Sequence, residues 1–168
     1  MYTTINEFVK NWEHESKATQ KLLDQLTDES LNQEIAPRHR TLGRISWHVA
    51  TTIPEMMNQV GLNITSLDKD APLPTSAEAI RKGYAAASKE LVENVQKLWT
   101  DDSLKLVDTL YGSEKWEKGT TLRILVIHQV HHRGQMTVLM RQAGLNVPGV
   151  YGPSLEEWTT YGMNPPAI

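Results

Sequence analysis

Four long stretches of this chain space their apolar residues three and four apart, as an α-helix does, and none alternates convincingly like a strand. The first runs from about Ile5 to Leu26, with Ile5, Phe8, Trp12, Glu15, Thr19, Leu22 and Leu26 near one stripe and Thr4 as its cap. The second begins at a Thr41 cap and runs towards Gly61, with Ile45, His48, Val49, Thr52 and Met56 on its inner side. Pro54 lies inside it and predicts a kink or local bend. The third opens at Thr75, with Glu78 at capping-box spacing, and carries Ile80, Tyr84, Ala87, Leu91, Val95 and Leu98 as far as Trp99. The fourth starts near Thr120 or Thr121 and stops at Gly144.

Between these stretches, Leu62 to Pro74 reads as a long crossover loop. From Thr100 to Gly119 the helical period is lost, and Asp108 to Ser113 suggests a turn between short extended pieces. Ser154 and Glu157 have capping-box spacing, which predicts one short C-terminal helix. Four amphipathic helices must bury their stripes against one another, so the expected fold is an all-α antiparallel four-helix bundle, one domain over residues 1–168.

Composition removes several chemistries. Cysteine is absent, which excludes disulfides, thiolate nucleophiles, iron–sulfur clusters and Cys-containing zinc sites. Lys and Arg number 17 against 20 Asp and Glu, a net charge of −3 that suits neither nucleic acid nor an anionic membrane. The richest apolar run, Leu122 to Val130, contains Arg123, His128 and Gln129 and falls short of the ~18 apolar residues of a membrane helix. Met1 to Phe8 has no basic stretch followed by an apolar run, so a soluble, cytoplasmic protein is expected.

Six histidines remain as the place for metal or acid–base chemistry. His128 and His132 are one turn apart and differ by only about 40° around the helix, so both imidazoles leave one face. Their stripe also holds Leu125, Gln135, Leu139 and Ala143 and is otherwise core-facing. A lone core histidine is more often a hydrogen-bonded core residue than a ligand, but a pair on a buried face favours a metal. His48, on the apolar side of the second helix, is the best third ligand. Three neutral imidazoles would leave one position open, the pattern of a catalytic site. Gln129 stands where a zincin carries its glutamate base, and no histidine has Glu three residues before it, as di-iron bundles require.

The run His128-Gln129-Val130-His131-His132-Arg133-Gly134-Gln135-Met136 resembles the His-x-x-x-His-Arg-Gly-Gln signature of the DinB-like proteins, a superfamily of damage-inducible four-helix bundles. Ser46-Trp47-His48-Val49-Ala50 looks like the second-helix motif of that family, and Val147 to Trp158 like its C-terminal segment. The resemblance implies an up-down-down-up bundle, commonly a homodimer, with one divalent metal held by residues matching His48, His128 and His132. Relatives include bacillithiol- or mycothiol-dependent transferases and isomerases, and others described as metal-dependent hydrolases, so the fold does not settle the reaction.

The expected function is therefore a metal-dependent enzyme, a hydrolase or a low-molecular-weight-thiol S-transferase. Its metal would act as a Lewis acid, lowering the pKa of bound water or holding a thiol such as bacillithiol as thiolate. Zinc is the first choice of metal and nickel the second, since imidazole suits both. The rival is a non-catalytic dimeric metal-binding stress protein. Gln135 is placed for a hydrogen bond to a ligand imidazole, and Glu55, seven residues after His48, is the nearest acid in register; these two are the catalytic candidates. Thr51 and Thr52 share that register. His131 reads as a structural or interface residue, Arg133 as solvated or paired with an acid, and Gly134 as room for a close helix approach. Tyr111, Trp116, Tyr151 and Trp158 either wall the pocket or cap the bundle, while His14 and His39 read as exposed.

Overall fold

In the computed structural model, which describes residues 1–167, the four periodic stretches are helices: α1 (Ile5–Leu23), α2 (Leu42–Gln59), α3 (Ala77–Leu98) and α4 (Lys118–Gln142). Local chemistry sets their starts. The side chains of Thr4, Thr41 and Ser76 accept from the backbone N–H groups of Glu7, Arg44 and Ala79. The third cap is thus Ser76, one residue beyond the expected Thr75. α1 stops three residues before Leu26, although Leu26 stays buried in the turn that follows. α2 continues through Pro54, whose ring is buried and whose missing N–H costs only the bond that Ala50 would have received.

The ends of the helices fix their directions. Ile5 at the start of α1 donates its N–H to Asp101, just past the end of α3, and the backbone of Tyr2 lies against Gly119 at the start of α4. Arg81 near the start of α3 reaches Leu26 O, just beyond the end of α1. Lys118 at the start of α4 donates to Val60 O after the end of α2, and Asn94 late in α3 donates to Leu62 O. α1 and α4 therefore run one way and α2 and α3 the other, with the crossover of residues 60–76 joining the parallel pair. Each of α1 and α2 packs on both α3 and α4. At Gly119 a Cβ would stand 2.6 Å from Tyr2 O, so only glycine lets the N-terminal segment cross α4 there.

The expected irregular region contains a small hairpin, β1 (Val107–Leu110) and β2 (Glu114–Glu117), paired antiparallel. Its reversal rests on positive φ at Tyr111 (52°) and Gly112 (83°). Because β2 runs straight into α4, that helix begins at Lys118 rather than Thr120. Lys118 ties the hairpin down through Asp108 (2.6 Å) and lies 4.8 Å from the Trp99 ring centre. The short C-terminal helix is a 3-10 helix, Leu155–Tyr161, and of its Ser154/Glu157 box the Glu157 half is made, its carboxylate accepting from Ser154 N–H at 3.1 Å, while Ser154 Oγ has no partner. The core runs the length of the bundle through Phe8, Trp12, Leu22, Ile53, Met57, Tyr84, Leu91 and Leu122. Among the described residues no helix is long and apolar enough to cross a membrane.

Candidate metal centre

α2 and α4 face each other in opposite directions, and this brings His48 against the His128/His132 pair. The Nε2 atom of His128 lies 3.1 Å from that of His48 and 3.0 Å from that of His132. The ring planes stand at 72°, 84° and 74° to one another, so the rings converge by their edges rather than stack. All three donor atoms lie within 4.8 Å of one another, a group that could hold a metal ion. Imidazoles bound to one tetrahedral zinc at about 2.0–2.1 Å would hold their nitrogens about 3.3 Å apart, close to the two contacts seen.

The outer nitrogens decide what the inner ones can be. His132 Nδ1 stands 2.7 Å from Gln135 Oε1, a pure acceptor, so His132 carries its proton there. Thr52 Oγ1 donates to His48 O at 2.6 Å and offers its lone pair to His48 Nδ1 at 3.4 Å. His48 and His132 thus present bare lone pairs at Nε2. His128 Nδ1 is buried with no partner, and one proton on its Nε2 would serve only one of its two close contacts squarely. Lone pairs packed this closely make a group that could hold a cation between them. The residues fit the ion, with Gln135 and Thr52 holding two of the three rings in the ligating tautomer.

Charge around the site points the same way. Burial, with Arg40, His132 and Arg44 adding repulsion, pushes His48 down to about 4. Burial and the neighbouring imidazoles push His128 down to about 3. His132 is lowered too, by burial working against its Gln135 hydrogen bond. All three are shifted towards the uncharged form, the form that binds metal. Arg40 adds repulsion at every one of them, and among the described residues no carboxylate joins the three histidines in the ligand group.

Of the other candidates, Gln135 is where the spacing put it. Glu55 is half-buried but stays outside the ligand group; its charge and hydrogen bonding, after burial, help raise the Tyr111 phenol. His131 is exposed and accepts from the Gln135 amide at 3.2 Å. Gly134 makes no close approach: a Cβ there would meet nothing within 4 Å. His14 and His39 are exposed, as expected. Tyr111 and Trp116 pack on each other in the hairpin (ring centres 6.1 Å apart), so they cap the bundle instead of lining the centre.

Arg133 is only 2% exposed and paired with Glu15, which also accepts from the Tyr151 hydroxyl at 2.6 Å. Arg133 further donates to Glu15 O at 2.5 Å and Thr19 Oγ1 at 3.3 Å. Burial opposes ionisation of Glu15, but Arg133 and Tyr151 outweigh it and hold the carboxyl below its ordinary value of 4.5. Sequence reasoning did not connect this cluster. Its signal was Glu15, an acid on the apolar stripe of α1, which a buried position tolerates only with a cation opposite.

Fold and site together define a class: a helical bundle that brings together three histidines, two from one helix and one from its antiparallel neighbour, in a group that could hold a metal ion. The chain belongs to the DinB family, whose model matches residues 1–166. It is 47% identical to the uncharacterized protein YrdA of Bacillus subtilis (strain 168) over 168 residues, all of both chains. A DinB-like protein of Bacillus cereus ATCC 10987, solved by crystallography, is 50% identical with a TM-score of 0.86, covering 90% of this chain and 100% of that one. The DinB-like protein YjoA of Bacillus subtilis shares the fold alone, at 16% identity and a TM-score of 0.68 over 88% of this chain and 99% of that one.

Proposed function

We propose that this protein is a metal-dependent enzyme, a hydrolase or a low-molecular-weight-thiol S-transferase, working at His48, His128 and His132. The carrying observation is the convergence of three Nε2 atoms, 3.0 and 3.1 Å apart at the measured contacts, with two outer nitrogens committed to Gln135 and Thr52. A divalent cation, zinc first and nickel second, would supply Lewis acidity towards water or a thiol. The chain's own part is to hold the rings in one tautomer, keep them uncharged by burial, and leave a fourth position free of protein ligands. Lacking cysteine, it would take any sulfur from a bacillithiol-type cosubstrate.

Turnover of electrophiles with bacillithiol, and of ester or amide substrates without it, tests this reading on zinc-loaded protein and on His132→Ala. The variant is expected to lose both zinc and turnover, and equal rates in the two proteins would overturn the reading. A second reading, a non-catalytic dimeric metal-binding stress protein, is favoured by one feature: the three histidines join α2 to α4, so an ion there would cross-link the bundle. A large rise in melting temperature on zinc addition, with no turnover of either substrate class, would select it.

A further inference from the structure

The loop of residues 35–40 is closed at its base, where Glu34 and Thr41 form a bridge and Leu42 donates its N–H to Gln33 O at 2.8 Å. This closure holds Ile35 and Arg40 beside one opening, a cavity of about 570 Å³ between the loop and α4. The size is that of a small-molecule site. His132 is the one metal-centre histidine on its wall. Its apolar side is Ile35, Ile45, Val138 and Leu139, of which Ile35 and Val138 are 58% and 48% exposed. Its polar side carries His39, Arg40, His131 and Gln135 beside His132, and among the described residues no carboxylate lines it.

An apolar floor with a cationic rim and no acid selects one chemistry. We propose that this cavity binds a small amphiphilic acid, its anionic head held by Arg40 and its apolar body laid on Ile35, Ile45, Val138 and Leu139. A guanidinium grips a carboxylate through two parallel N–H donors, and His131 offers its remaining ring N–H beside it. Gly134, which also lines the cavity, leaves open space where a side chain would narrow it. The inference rests on the metal-centre reading for its consequence, which is that an acid so held stands next to His132 and supplies the negative charge that the site lacks.

Isothermal titration of octanoate into metal-free and zinc-loaded protein tests it, with octylammonium and octanol as matched chains and zinc affinity measured separately. Octanoate is expected to bind one to one and octylammonium not at all. Arg40→Gln should weaken octanoate by about tenfold while zinc affinity is kept or raised, since Arg40 only repels a cation at the three histidines. Val138→Asp, at an exposed position that leaves the core alone, should abolish binding. Equal affinity for the three chains, or for wild type and Arg40→Gln, would overturn the proposal. So would no octanoate binding to wild type, including the case where sedimentation shows a second copy covering this face. Octanoate binding by protein that takes up no zinc would uphold the cavity and overturn the metal-centre reading instead.

Discussion

His132 and Arg133 are neighbours in α4, yet they enter two polar clusters of opposite character. Arg133 meets Glu15, Thr19 and Tyr151, so donors face acceptors and charge faces charge. His132 meets His48 and His128, three like groups with their Nε2 atoms turned inward. One cluster is closed by the chain itself except at Arg133 Nε, which is buried without a partner; the other is a group that could hold a metal ion. A buried polar group satisfied within the protein serves the fold, and one left waiting at an entrance serves a ligand. Breaking the first should therefore cost stability, and breaking the second should cost metal.

The largest effect is expected from Arg133→Met, which leaves Glu15 buried without its cation. A loss of about 3–5 kcal/mol is expected by thermal or urea unfolding. Zinc affinity measured on the folded fraction should change far less, and a reversed pattern would erase the distinction between the clusters. Acid attacks the same place. Because the folded carboxyl of Glu15 titrates below its ordinary value of 4.5, its contribution is present above that value and lost as the pH falls through the folded one. The stability gap between wild type and the double variant Glu15→Gln/Arg133→Met should shrink below about pH 4.5 in unfolding curves. A gap constant from pH 7 to 3 would show that the carboxylate is not what Arg133 holds.

The metal cluster has its own probe in Gln135. Gln135→Ala removes the acceptor that fixes the His132 proton on Nδ1 but leaves all three ligands in place. Zinc affinity should fall by about 10–100-fold, read by competition with a chelating dye, while the melting temperature of metal-free protein stays within error. Gln135 is exposed, so a structural role would show in the melt and the positioning role only in the metal.

Much of this was legible in the sequence because it follows from period alone. A spacing of four on a helix puts His128 and His132 on one side whatever else the chain does, and the same arithmetic places Gln135 beside His132. His48 was legible because an apolar stripe says which way it faces. Pairing across helices was not. Nothing in the order of residues says that Glu15 and Arg133, 118 positions apart, meet, since that depends on how two stripes register. The hairpin was legible only as a turn between short extended pieces at Asp108 to Ser113, because its strands are four residues long and mostly exposed on both faces, so no hydrophobic alternation marks them. Nothing in the order of residues places Arg40 at a cavity; only the bridge between Glu34 and Thr41 turns its loop over it.

The smallest effect, and the finest test of the comparison, is Tyr151→Phe. The Tyr151 hydroxyl donates to Glu15 at 2.6 Å and accepts from Arg133, so it ties the segment after α4 to the closed cluster. The residue is 63% exposed, however, and water can replace the lost hydroxyl. Only about 1 kcal/mol of stability should go, seen as a small shift of the urea midpoint without a change in slope. Glu15 and Arg133 remain paired in this variant, which separates it from Arg133→Met. A loss as large as that of Arg133→Met would mean the exposed tyrosine is what completes the cluster. The fold would then depend on the C-terminal segment as much as on the bundle. A loss near the expected size would leave the closed cluster resting on two side chains, one from α1 and one from α4, with the tyrosine as a lid.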